Sequence, residues 1–182
     1  MRIALAVPLL LLLVGCSGAL MSSGTGSEGR FRHRELGYEI ANPSVLSEPG
    51  WEISRLEDAD LLVRHSDGSL WALASTCRET RAPLQVLAGE LARATGGAAI
   101  AAPTAIRQAG LAGLTLRLER VEDGRRLQIK TVTVRGAHCT YDWVLIAPSE
   151  TRLRELEGPF DAWWQTFVPG AGERAQREVE IP

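Results

Sequence analysis

The chain is short of the residue patterns that mark most enzymes. It has no G-x-S-x-G elbow, no H-E-x-x-H, no P-loop and no Rossmann glycine pattern. The residues of the common hydrolase, zinc-protease, nucleotide and dinucleotide sites are therefore not laid out locally. It has no CxxC, which removes the spacing of familiar zinc and thiol-redox sites. Lys130 is the only lysine, the other basic residues being arginines, and the net charge is −2. Nothing in that balance points to nucleic acid or to a strongly acidic partner. No apolar run reaches the roughly 20 residues a membrane-spanning helix needs.

What is present begins at the N-terminus. Arg2 supplies a positive charge, and Ile3 to Val14 is apolar apart from Pro8. The run has signal-peptide length. Leu13-Val14-Gly15-Cys16 follows. It resembles the lipobox of bacterial lipoproteins, an apolar residue, a spacer and a small residue before cysteine. That resemblance implies cleavage after Gly15 and a diacylglyceryl group on the Cys16 thiol, with the freed amine often acylated as well (the palmitate type of anchor). Two or three chains anchor firmly where one binds marginally. Ser17 in place of Asp after the cysteine favours the outer membrane by the family's sorting rule. The expected location is the envelope, on the periplasmic face of the outer membrane rather than the inner.

Four segments follow: a signal peptide over 1–15, a lipidated tether over 16–34, a domain over 35–168 and a polar tail over 169–182. Ser17 to Gly29 is rich in Ser and Gly, too polar to order itself, with a typical span of roughly 20 Å. Arg30-Phe31-Arg32-His33-Arg34 reads as a solvated lead-in to the domain, with contact to anionic headgroups as the alternative. There is no internal repeat.

Within the domain, alternation marks strands at Tyr38–Ile40, Trp51–Ile53, Leu61–Val63 and Leu70–Cys77, the last two joined at Asp67-Gly68. Leu84, Leu87 and Leu91 change the period to that of a helix, with Ala88 and Ala94 in the stripe, Pro83 at its start and Gly96-Gly97 at its end. Strands return at Leu114–Leu118, at Leu127–Val134 and at Cys139–Ile146. The apolar positions of the second switch parity between Ile129 and Val132, which calls for a bulge or for cover on both faces. The last strand, apolar on both faces, is expected at the centre. A short turn at Leu153 and Leu156 and a fresh helix from Pro159 complete the order. Hairpin connections make this α+β, a mainly antiparallel sheet of about six to seven strands with helices packed on it.

This layout resembles the PsbP-like fold, an α/β/α sandwich. The resemblance rests on Gly37-Tyr38-Glu39-Ile40 with Pro43 and Trp51, and on the Asp67-Gly68 hairpin and the Leu84–Leu91 helix. It continues through Gly110 and Gly113, and Tyr141 ahead of Phe160 and Phe167. It implies a binding or assembly factor rather than an enzyme, and it brings no catalytic motif. No cofactor is expected, neither manganese nor calcium, and no metal.

With Cys16 committed to lipid, Cys77 and Cys139 remain, and an even pair in an exported chain reads as a disulfide. Two buried thiols, or a metal held with His138, are the other readings. His33 and His65 read as surface histidines. Asp142, between Tyr141 and Trp143 and opposite the Cys139 face, would line a pocket or sit as a satisfied structural acid. Trp51, Trp71, Trp143 and Trp163 fit the core. Trp164, beside a core tryptophan, is the one expected at the surface, where it would mark a contact patch with an envelope partner. The leading function is a non-enzymatic binding or assembly module with no catalytic residues. A structural subunit of an envelope complex and a hydrolase whose residues meet only in three dimensions are the alternatives.

Overall fold

Strands of alternating polarity need hydrogen-bonded neighbours and cover on their apolar face, and this chain supplies both. The structure, a computed structural model, describes residues 24–27, 29–77 and 82–174. Cys16, the segment before it and the end of the expected tail lie outside the described residues. No described helix is long and apolar enough to cross a membrane.

The main sheet contains β4 (Trp51–Ser54), β5 (Leu61–His65), β6 (Leu70–Cys77), β7 (Ala98–Ala99), β8 (Thr104–Gln108), β9 (Leu111–Glu122), β10 (Arg125–Arg135) and β11 (Cys139–Ala147). Their order is β4-β5-β6-β11-β10-β9-β7, with β8 also on β9, and every pairing is antiparallel. This is the mainly antiparallel α+β sheet expected, with β11 in the middle. It has eight strands rather than six to seven, because two short ones share the outer edge of β9. Pro103 lies between them and has no N–H to give to a ladder.

At the β8–β9 turn, Ala109 and Gly110 both have positive φ, 48° and 80°, the geometry a two-residue hairpin demands. Gly113 follows because the chain is crowded there. A Cβ would lie 2.8 Å from the Thr133 carbonyl oxygen and 2.9 Å from Ile106.

β10 contains no bulge. Its register runs unbroken against both neighbours from Gln128 to Arg135. Ile129 faces Leu118 and Ile146 on one side of the sheet, whereas Val132 and Val134 face Trp143 and Tyr141 on the other. The parity switch thus records a strand covered on both faces.

Helix α1 (Leu84–Ala94) lies on β9 and β10, its Ala88 packing with Leu114, Leu116, Leu118 and Ile129. Helix α2 (Glu150–Trp164) covers the opposite face. Its Leu153, Leu156, Phe160 and Trp163 meet Trp71, Leu73, Val132 and Trp143. Two helical pieces were expected here, but Pro159 sits inside one continuous helix. Proline removes one backbone hydrogen bond and costs about 3 kcal/mol in a helix interior. The unbroken apolar stripe from Leu153 to Trp163 outweighs it. Ser149 caps the N-terminus, its Oγ accepting the Arg152 N–H at 3.2 Å.

The aromatics lie in one core as two groups of touching rings, one around Trp71 and one around Phe167. Trp71 lies 5.7 Å from Trp51, 5.4 Å from Phe160 and 5.6 Å from Trp163, and Tyr141 lies 4.6 Å from Phe167. All five tryptophans are buried.

The domain extends past both expected boundaries. β1 (Gly24–Ser27), β2 (Arg30–His33) and β3 (Glu39–Ala41) make a second, three-stranded sheet, followed by a 3-10 turn at Ser44–Ser47. Part of the expected tether is therefore structured. β2 buries Phe31 and His33 and turns Arg30 and Arg32 outward, where both approach Glu39. At the other end, Val168 bridges to Glu39, and Pro169 and Gly170 are buried. The short helix α3 (Ala171–Arg174) follows. Phe31, buried opposite Ile40, docks the first segment, and the Glu39–Val168 backbone bridge with the buried Pro169 and Gly170 docks the second.

Candidate functional site

The Cys77–Cys139 pair forms a disulfide, the two residues standing directly opposite each other in the β6–β11 ladder. Period two then settles the face of every neighbour. Cys139, Tyr141, Trp143 and Leu145 point toward α2, and Thr140, Asp142, Val144 and Ile146 point toward α1. Cys139 is buried, but Cys77 is exposed, so the bond is open to solvent from one side.

On the α1 face the two layers do not close completely. Leu87 and Ala88 are buried, Leu91 only half-buried, and Ala94 exposed. A cleft of about 160 Å³ remains between helix and sheet, lined by Leu87, Glu90, Leu91 and Ala94 from α1 and by Thr76, Thr140 and Asp142 from the sheet. Asp142 is thus a cleft residue, held by a hydrogen bond from the fully buried Thr133 hydroxyl at 2.7 Å. The cleft pairs an apolar wall with two carboxylates and two hydroxyls. That combination suits a small ligand or a single inserted side chain. Ordinary small-molecule sites are larger, about 300–1,000 Å³.

Trp164 is not at the surface. It is 5% exposed, and its indole N–H donates to Asp161 at 2.9 Å. The expected contact patch at Trp164 is therefore corrected. The wide apolar arc of α2 has room to bury both Trp163 and Trp164 because the sheet beneath it is broad. Asp161 in turn accepts from Lys130, as does Glu157, both at 2.8 Å. The chain's single lysine is thus buried where β10, which carries it, meets α2, and ties that helix to the sheet. Its cross-strand neighbour Arg117 also pairs with Glu157.

His33 is likewise corrected from surface to interior, 7% exposed. Its Nε2 lies 3.3 Å from Asp60 Oδ1, and its Nδ1 accepts the Leu36 N–H at 3.2 Å. Tyr38 and Ser75 both donate to Asp60 Oδ2, at 2.7 and 2.6 Å. Burial, then the Asp60 charge, push the Tyr38 phenol far above its usual range. Ser, His and Asp meet here, but not as a nucleophile, base and orienter. The Ser75 hydroxyl gives its proton to the carboxylate and not to the imidazole, whose nitrogens are already engaged. Asp60 is the hub that fastens β2 and Tyr38 to β6. Sequence reasoning missed it because nothing in the spacing of 33, 38, 60 and 75 joins them.

His65 is half-buried, its Nδ1 2.8 Å from Asp67 Oδ1. His138 has its backbone N–H bonded to Glu173. Among the described residues no three His, Cys, Asp or Glu side chains group as metal ligands.

The fold is the PsbP-like α+β fold. The solution structure of cyanobacterial PsbP (CyanoP) from Synechocystis sp. PCC 6803 is similar, with a TM-score of 0.54 and 15% identity. That match covers 86% of this chain and 98% of that one. The crystal structure of LpqN, involved in cell envelope biogenesis of Mycobacterium tuberculosis, is similar with a TM-score of 0.52. It is 14% identical and covers 80% of this chain and 87% of that one. No family model and no curated protein sequence matches the chain.

Proposed function

We propose that this chain is an envelope lipoprotein, anchored by lipid on Cys16, whose PsbP-like domain is a binding or assembly module rather than an enzyme. The observation that carries the reading is the Leu13-Val14-Gly15-Cys16 sequence joined through a short polar segment to this fold. The outer membrane's periplasmic face is the expected location. LpqN, a protein involved in envelope biogenesis, lends support through its shared fold. Fold analogy sets a prior and does not assign a site. The surface to engage a partner is the cleft beneath α1, with Asp142 and Glu90 at its rim.

Two measurements test this. The intact mass of the mature protein carries acyl chains on Cys16, and a plain peptide mass refutes the anchor. Cross-linking in intact cells, followed by solubilisation and mass spectrometry, recovers a consistent envelope partner. Recovery is lost when Leu91→Trp fills the cleft. A partner retained by that variant places the interface elsewhere, and no partner at native abundance favours a small ligand.

A further inference from the structure

The turn between β10 and β11 presents backbone donors rather than side chains. After Arg135 the chain reverses through Gly136, Ala137 and His138, closed by the Gly136 N–H donating to the Cys139 carbonyl at 2.8 Å. The next three N–H groups converge on one point. Successive amides turned the same way form a concavity that takes an anion.

The occupant here is a carboxylate of the same chain. Glu173, 7% exposed, accepts the Ala137 N–H on Oε2 and the Cys139 N–H at 3.1 Å on Oε1. The His138 N–H reaches both oxygens, at 3.1 and 3.3 Å. Gly136 leaves the space it needs, since a Cβ there would overlap the Glu173 carboxylate. Tyr141, two residues past Cys139, adds a second mark. Its hydroxyl is buried with no hydrogen-bond partner among the described residues, and burial, then the Glu173 charge, push its phenol above the usual range. An unpaired donor thus lies buried on the same face of β11 as Cys139. Glu173 itself rides on α3, a single turn of helix, which gives it little independent hold.

We propose that the Gly136–Cys139 turn is a carboxylate-binding site, filled in cis by Glu173, into which a carboxylate from outside the chain can enter when α3 lifts away. This extends the capture of carboxylates by backbone nests to a site already holding its own ligand. It stands independently of the lipid anchor.

The test is chemical rescue of Glu173→Ala in the full mature chain, with formate and acetate as probes and chloride at matched ionic strength as control. The variant is expected to melt roughly 5 °C lower, since two buried amides and a part-buried one lose their acceptor. Formate restores most of the loss and shifts the Ala137, His138 and Cys139 amide resonances; chloride does neither. Gly136→Ala combined with Glu173→Ala abolishes the rescue by filling the concavity. If Glu173→Ala does not fold, the isosteric Glu173→Gln serves, and its three amides shift with formate. A loss of stability with no rescue and no amide shift overturns the proposal and leaves Glu173 as a plain structural latch. An unchanged melting temperature overturns it too.

Discussion

Cys77 on β6 and Cys139 on β11 stand opposite one another with their Cα atoms 4.0 Å apart, and the bond between them spans 62 residues of sequence. A loop of that length is worth about 4 kcal/mol in the chain-entropy view of disulfides. Because Cys77 is exposed, a reductant reaches the bond in the folded protein. Reduction, or Cys77→Ser with Cys139→Ser, is expected to lower the melting temperature by roughly 10 °C. Free thiols in the native protein with no change on reduction refute this.

Lys130 supplies the second prediction. Its ammonium sits between Glu157 and Asp161 with a side-chain exposure of 10%. Removing one partner of a buried pair leaves the other charges uncompensated, at about 3–5 kcal/mol. Glu157 and Asp161 keep some solvent and Arg117 stays close, so Lys130→Met is expected near the lower end of that range. Adding Glu157→Gln and Asp161→Asn to Lys130→Met recovers part of the loss. Denaturant unfolding of the three-step series reads this out, and a Lys130→Met as stable as the parent contradicts it.

Asp67 makes stability depend on acid. Burial opposes its ionisation, but the Ser69 backbone N–H at 2.7 Å and the neighbouring His65 outweigh burial and bring the carboxyl down from 3.8 to about 2. A carboxyl depressed in the folded state stabilises it above the unfolded value and loses that contribution as the group protonates. The contribution is therefore complete above about pH 4 and fades as pH falls toward 2. Arg152 at 2.9 Å from Asp67 loses its partner over the same interval. Melting curves between these pH values should fall less steeply for Asp67→Asn than for the parent; parallel slopes rule the account out.

Gly113→Ala is expected to destabilise by about 1–3 kcal/mol, because the new methyl overlaps the Thr133 carbonyl and Ile106, which a ladder strand cannot move aside. Gly89→Ala, with open space around it on α1, is expected to be neutral or slightly stabilising. Thermal melts of the two variants side by side decide the matter, and equal effects would contradict it.

Much of the sheet was legible in the chain because side-chain periodicity is a local property. The alternation of Leu114, Leu116 and Leu118, the Asp67-Gly68 turn and the double-faced pattern of β11 each declare an element without reference to the rest. The Cys77–Cys139 bond was legible for a different reason: once Cys16 is set aside, only one pairing remains. The cleft was half legible. Asp142 was singled out by its place on β11, but Thr76 joins it only through the β6–β11 pairing and Glu90 only when α1 lies across the sheet.

Sequence alone determined the long strands, helix α1 and the order in which these come, since they follow from residue type and spacing; β1, β2 and the short edge strand β7 carry no such local signal. It also carries Leu13-Val14-Gly15-Cys16, whose resemblance to a lipobox is read as a local motif. Tertiary structure decided what no spacing encodes. It buried Trp164 because α2 meets a broad sheet, and kept α2 whole across Pro159 because packing exceeds one lost hydrogen bond. It gathered His33 of β2, Ser75 of β6 and Tyr38, just before β3, on Asp60 in the loop before β5. It also brought Glu173 back onto the amides of residues 137 to 139, some 35 positions earlier. Buried polar groups must find partners wherever the fold places them, and distance along the chain does not limit which ones they find.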